Sequence, residues 1–362
     1  MFQFPLDNPA PDFESFEEVL RGRKEPQRVH LAELFVDWEV IKFVVEEIIG
    51  KRWNSLDENE TVCLKRYIDF FYYLGYDYVP MGTLGGFKPA GLCDLSEADD
   101  TAILSRGKRS WANTGRGLIR SWQDFEKFPW EEIDINLSRH RFIDENIPEG
   151  MKMVVFNTFF DHILARLLGY EGFFYLIYDE PELVKAVFDK WGEKVYEFYK
   201  NIVTLENLGA IFHADDLGFK TSAMLSPDTL RELVFPWFKK YASLAHENGK
   251  MYWYHCCGYK DEIMEDLIKD VKIDALHSFE DTCCPVTEYK KKYGDKIAIL
   301  GGIDIDKLCR SNEKDLRKYV KDTLNKCMKG GRYALGSGNS VTNYIPVKNY
   351  LIMLDEGLKW HH

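Results

Sequence analysis

The chain has 362 residues, 45% hydrophobic and 29% charged, with a formal net charge of −12. This is a globular composition, long enough for one large α/β domain or two smaller ones. Without a Lys/Arg cluster, the acid excess excludes nucleic-acid binding, which needs a basic face for phosphates, and no apolar run nears the roughly 18 residues of a membrane span.

In chain order, short apolar runs alternate with helical patterns. The predicted strands are 29–35, 76–81, 152–157, 209–215, 250–256, 274–279, 296–302 and 332–338. Helical patterns fill most of the intervals, and several end in glycine, as helix C-termini often do. Ser226 followed by Pro227 reads as an N-cap and first helical position. Eight strand–helix repeats predict an α/β fold, a (β/α)8 TIM barrel of one domain over 1–362 with an N-terminal helical extension. A doubly wound sheet gains little support, because no GxGxxG follows the first strand. Residues 82–150 show no clear strand and read as a long insertion or lid between the second and third strands. The N-terminus, MFQFPLDNPAPDFESFEEVL, has no signal-peptide layout. The eight cysteines are therefore expected to be reduced thiols in a cytoplasmic protein rather than disulfides.

Active-site residues of such a barrel sit at the C-terminal ends of strands. There the chain carries Glu33, Asp215 and Asp216, His255 and Cys257, His277, Ser337 and Asn339. In MYWYHCCGYK (251–260), His255 and Cys257 are two positions apart on a strand, so both side chains point the same way and can converge on a zinc ion. Asp215 can face the mouth as ligand, general base or substrate anchor, and Asp216 can equally cap its loop. His277 reads as a core histidine or a substrate contact. Gly336 and Gly338 flank Ser337, leaving the backbone free to approach a ligand. No nucleophile elbow, Walker loop or HExxH is present.

RVHLAELFVDWEV, HADDLGFKTSAMLSPDTLRELVFPWFKK, YHCCGYKDEIMEDLI, DALHSFED, AILGGIDIDKL and YALGSGNSVTNYIPVKNYLIMLDEG together give the chain a resemblance to the uroporphyrinogen decarboxylase superfamily. The resemblance implies a barrel and one of two activities: cofactor-free decarboxylation, or zinc-dependent methyl transfer between a methylcobamide and a thiol. The decarboxylases are implied to bind their many substrate carboxylates through arginines after the first strand. Glu33, Asp37 and Glu39 stand there instead and would repel such a substrate. The methyltransferases are implied to bind zinc through H-x-C-G and a later cysteine. His255 and Cys257 match the first pair, but Ser337 occupies the later position, so Glu33 or Asp215 becomes the candidate third ligand.

The expected assignment is then as follows. His255 and Cys257 hold metal, Asp215 and Ser337 serve catalysis, and Glu33, Asp216, His277 and Asn339 bind substrate. The implied cofactors are zinc and a methylcobalamin or other corrinoid co-substrate. The implied partners are a small methyl donor or thiol, a corrinoid protein and a second copy in a homodimer. Trp111, Trp122 and Trp130 are candidate walls of an apolar donor pocket. The alternatives are a metal-free lyase on a carboxylated or tetrapyrrole substrate and a non-catalytic corrinoid- or tetrapyrrole-binding protein.

Overall fold

The computed structural model describes residues 3–83, 95–112, 115 and 117–360. Among them the strands are β1 (Tyr78–Met81), β2 (Leu95–Asp99), β3 (Lys108–Ala112), β4 (Lys152–Asn157), β5 (Leu208–Ala214), β6 (Met251–His255), β7 (Ala275–His277), β8 (Ala298–Leu300) and β9 (Tyr333–Ala334). Seven pair in parallel in the order β1-β4-β5-β6-β7-β8-β9. Each is followed by helical segments that cover the outer face, as parallel sheets require.

The first predicted strand, 29–35, is the exception. The chain here meets the segment that follows β9 through isolated parallel bridges, Leu31 with Leu335 and Val36 with Val341. On its other side the Tyr78 hydroxyl donates to the Glu33 carbonyl at 2.6 Å and accepts the Glu33 N–H at 2.8 Å. That side chain occupies both backbone groups of Glu33, so a regular ladder to β1 cannot continue through them. The sheet curls until β1 and the segment beside β9 are in contact.

Period-2 alternation sorts the strand residues into two layers. Ala210, Phe212 and Ala214 of β5, Met251 and Trp253 of β6, and Ala298 and Leu300 of β8 form the inner cluster. The intervening residues, such as Ile211, Tyr252 and Ile299, pack outward against helices. Helix Phe13–Leu20 inserts Phe13, Phe16 and Leu20 into the inner cluster. Trp253 meets the rings of Phe13, Phe16, Tyr78 and Phe212 at centroid distances of 6.4, 5.8, 5.6 and 5.5 Å. The interior is therefore filled at the level of Trp253, and a ligand must enter from the C-terminal ends of the strands.

Residues 82–150 require a correction. They hold an antiparallel hairpin in which Leu95 pairs with Ala112 and Asp99 with Lys108. LSEAD and KRSWA lack an apolar alternation, so the sequence pattern gave no strand signal. Arg106 at the hairpin bonds Asp37 at 2.7 Å and Glu39 at 3.0 Å. Asn343 bonds Asp100 at 2.6 Å. The helix from Ser226 begins as expected, with the Ser226 hydroxyl accepting the Thr229 N–H at 3.1 Å. Among the described residues no helix is long and apolar enough to cross a membrane.

Candidate metal centre

The inner alternation of β6 runs Met251, Trp253, His255 and on to Cys257. That of β5 runs Ala210, Phe212, Ala214 and on to Asp216. Ala214 is in register with His255, so the two series end side by side. Asp216, His255 and Cys257 bring three ligand atoms within 4.8 Å of one another. Cys257 Sγ is 3.4 Å from His255 Nε2, and Asp216 Oδ1 is 3.7 Å from the same nitrogen. Ligands about 2.0–2.3 Å from a tetrahedral zinc ion lie roughly 3.3–3.7 Å apart, so both separations from His255 suit this ion, and three protein donors would leave a fourth position for a substrate.

The turn that presents the thiol is tightly built. Gly258 has φ +76°, and a Cβ there would lie 2.4 Å from the Gly218 carbonyl oxygen. Only glycine suits both the left-handed backbone and this approach. The Cys257 N–H donates to Asp216 Oδ1 at 2.8 Å. Lys260, fully buried, donates Nζ to the carbonyls of Gly258 and Ser278 at 3.0 Å each. Asn339 donates Nδ2 to Cys257 Sγ at 3.1 Å, and Ser278 Oγ stands 3.5 Å from the same sulfur.

Burial, then the Asp216 charge, pushes the Cys257 thiol up. Without a metal it stays protonated, and a cation is the missing stabiliser of its thiolate. Burial, with Lys260 adding a smaller effect, holds His255 down to about 3, which keeps the imidazole neutral and able to ligate. Behind it, His255 Nδ1 is 2.7 Å from His277 Nδ1, and His277 Nε2 is 3.2 Å from the Ser337 carbonyl oxygen.

The expected third ligand is corrected. Asp215 lies on the outer alternation with His213. Its carboxylate accepts the Phe159 N–H with both oxygens at 3.1 Å, the Asp161 N–H at 2.9 Å and a contact from His213 Nε2 at 2.7 Å. It pins the loop after β4, and one position further along the chain Asp216 takes the place at the centre. Glu33 is fully buried, and its carboxylate accepts the N–H of Ser337 at 2.8 Å and also the Ser337 hydroxyl. The candidate catalytic hydroxyl of Ser337 is thus turned to Glu33. Burial raises Glu33 to about 8 despite these bonds.

Sequence reasoning missed Asp161 and Lys260. The Asp161 carboxylate accepts the Asp216 N–H at 3.3 Å and is pushed up by burial and by the charges of Asp215 and Asp216. Asp161 reaches the centre through a contact 55 positions away, and Lys260 spans from Gly258 beside it to Ser278 18 positions on. The parity of Asp216 with Ala210, Phe212 and Ala214 could have been read from the sequence.

A cavity of about 580 Å³ opens beside the centre. Cys257 and Asn339 lie on its wall, with Phe35, Phe279 and Tyr344 and the acids Glu280, Asp281, Asp304 and Asp306. Among the described residues of the wall, Lys307 is the one cationic side chain. Trp130 is buried on Phe128, at 4.4 Å between ring centroids, and neither it nor Trp122 lines this cavity. The Trp111 side chain lies outside the described residues.

Comparison with known proteins adds the following. The family model described as Uroporphyrinogen decarboxylase (URO-D) matches residues 140–359. No curated protein matches the chain. A methyltransferase from Methanosarcina mazei has a similar structure, with TM-score 0.70 and 14% identity over 96% of this chain and 98% of that one. A putative vitamin-B12-independent methionine synthase from Listeria monocytogenes aligns with TM-score 0.51 and 11% identity over 93% and 99% of the two chains. At such identities these structures show the shared fold alone.

Proposed function

Because the chain belongs to the uroporphyrinogen decarboxylase family, we propose that it is a (β/α)8-barrel methyltransferase of that family. In this reading His255, Cys257 and Asp216 hold zinc, and a methyl group moves between a small donor or thiol and a cobalamin on a corrinoid protein. The observation that carries the reading is the convergence of three donor atoms within 4.8 Å of one another, with His255 Nε2 at 3.4 Å from Cys257 Sγ and 3.7 Å from Asp216 Oδ1. The fold shared with the Methanosarcina mazei methyltransferase, at TM-score 0.70, is compatible with this class of reaction.

A bound zinc ion would supply Lewis acidity toward the oxygen of a methyl donor or the sulfur of a thiol acceptor. The protein's own groups do the rest. Asn339 donates to the Cys257 sulfur, and Lys260 fixes the turn that carries it. Phe35, Phe279 and Tyr344 give the cavity an apolar side against which a methyl group can rest. The acids of the wall disfavour a polycarboxylate, which argues against the alternative of a lyase on a carboxylated tetrapyrrole.

Titration with methylcobalamin in the presence of small thiols, followed by ultraviolet–visible absorbance, tests the reaction. The expected outcome is thiol-dependent demethylation of the cobalamin, or methylation of cob(I)alamin by a methoxylated donor, by the wild type and not by Cys257→Ser. The absence of both reactions in a zinc-loaded protein would contradict the proposal.

A further inference from the structure

The metal reading, on which this inference rests, requires His255 to present a lone pair at Nε2 rather than a proton. A neutral imidazole carries its proton on one nitrogen or the other, and the contacts behind His255 decide which. The Ser337 carbonyl oxygen can only accept, so His277 Nε2, at 3.2 Å, carries a proton. His277 is fully buried. Among the described residues its ring nitrogens meet that carbonyl and His255 Nδ1, and no carboxylate stands against them. Nothing there supports a second proton on the ring, so His277 Nδ1 is bare and accepts. The hydrogen of the 2.7 Å contact then belongs to His255 Nδ1. What remains on His255 is the Nε2 lone pair, aimed at the space between Cys257 Sγ and Asp216 Oδ1.

We infer that His277 is a positioning residue that locks His255 in its Nδ1–H tautomer and so turns Nε2 toward the metal, with Ser337 and Glu33 as the anchor behind it. Ser337 can serve because its own N–H and hydroxyl are both held by Glu33, which fixes the direction of its carbonyl. Gly301 admits the arrangement. Its φ is +77°, and a Cβ there would stand 2.3 Å from the Ser337 oxygen and 2.9 Å from His277 Nε2. The chain therefore runs Glu33, Ser337, His277, His255 and joins the segment beside β9 to the donor set. His277 does not line the cavity, so it acts through His255 and does not touch substrate.

The test reads the tautomer directly. In metal-free protein labelled with 15N-histidine, and with His255 assigned by its loss in His255→Gln, one-bond N–H coupling is expected at Nδ1 and none at Nε2. A proton at Nε2 would overturn the inference. Two variants add a second readout. His277→Gln keeps an acceptor for His255 and a donor for Ser337, and is expected to retain zinc affinity within a few-fold. His277→Phe keeps bulk alone and is expected to lose about 10–100-fold, the usual cost of removing the hydrogen-bond partner of a ligating histidine. Equal losses in both variants, at comparable melting temperatures, would reduce His277 to a space-filling role and overturn the inference. A wild type that carries the proton at Nδ1 but fails to bind added zinc would support the tautomer and contradict the metal reading, so the two failures are distinguishable.

Discussion

Asn339 donates its side-chain Nδ2–H to the Sγ of Cys257 at 3.1 Å, from 82 residues further along the chain. The amide acts on the sulfur that burial and Asp216 keep protonated. A donor aimed at sulfur favours the thiolate over the thiol. Removing it in Asn339→Leu is expected to weaken zinc binding by roughly 10-fold and leave the melting temperature of the metal-free protein within a few degrees. Competition with a chromogenic chelator measures the first quantity and differential scanning fluorimetry the second.

Metal loading should depend on pH through the thiol and not through the imidazole. His255 is held down to about 3, so protons do not compete for it near neutrality. Cys257 is held up, so binding zinc must release its proton. The apparent affinity is expected to rise about tenfold per unit from about pH 6 to about pH 8. A pH-independent affinity would indicate a donor set without the thiolate. Isothermal titration calorimetry in buffers of different ionisation enthalpy counts the proton directly.

Glu33 gives the folded protein an unusual acid dependence. Its folded value is about 8 against an ordinary 4.5. Between these values the native state keeps a proton that the unfolded chain has released. Stability contributed by this group is therefore complete below about 4.5, declines as pH rises, and levels off above about 8. The slope is at most about 1.4 kcal/mol per pH unit. Glu33→Gln is expected to flatten the fall in urea midpoint between pH 5 and 8. Part of the slope should persist, because Asp161 is raised in the same direction. An identical profile in the variant would contradict the protonated carboxyl.

Lys260 holds the turn behind Cys257. Lys260→Met removes the donor to the carbonyls of Gly258 and Ser278. One buried and one partly buried carbonyl losing a donor are expected to cost about 2–4 kcal/mol in urea denaturation, with zinc content reduced in parallel. A change under about 0.5 kcal/mol, the scale of an ordinary surface substitution, would mean that the turn holds itself.

Much of this arrangement was legible in the sequence. Seven of the eight expected strands form, and His255-x-Cys257 lies at the end of β6 as spacing alone suggested. The first strand failed because the hydroxyl of Tyr78 occupies both backbone groups of Glu33, a contact between residues 45 positions apart that no local pattern encodes. From the sequence, Glu33 or Asp215 is the candidate third ligand because both lie at strand ends facing the same mouth, and Asp216 is given to substrate. Parity along β5 assigns Asp215 to the helix-facing side with His213 and Asp216 to the interior with Ala214. The hairpin at 95–112 escaped notice because its strands are polar, and the link from His277 to Ser337 joins residues 60 positions apart.

The most direct test is the zinc content of tag-free protein prepared with added zinc and then desalted, read by inductively coupled plasma mass spectrometry. About one zinc per chain is expected for the wild type and for Asp215→Asn, with strong loss in His255→Ala, Cys257→Ser and Asp216→Asn, as for a site with three protein ligands. Less than about 0.2 zinc per chain in the wild type, or full retention in Cys257→Ser, would contradict the account.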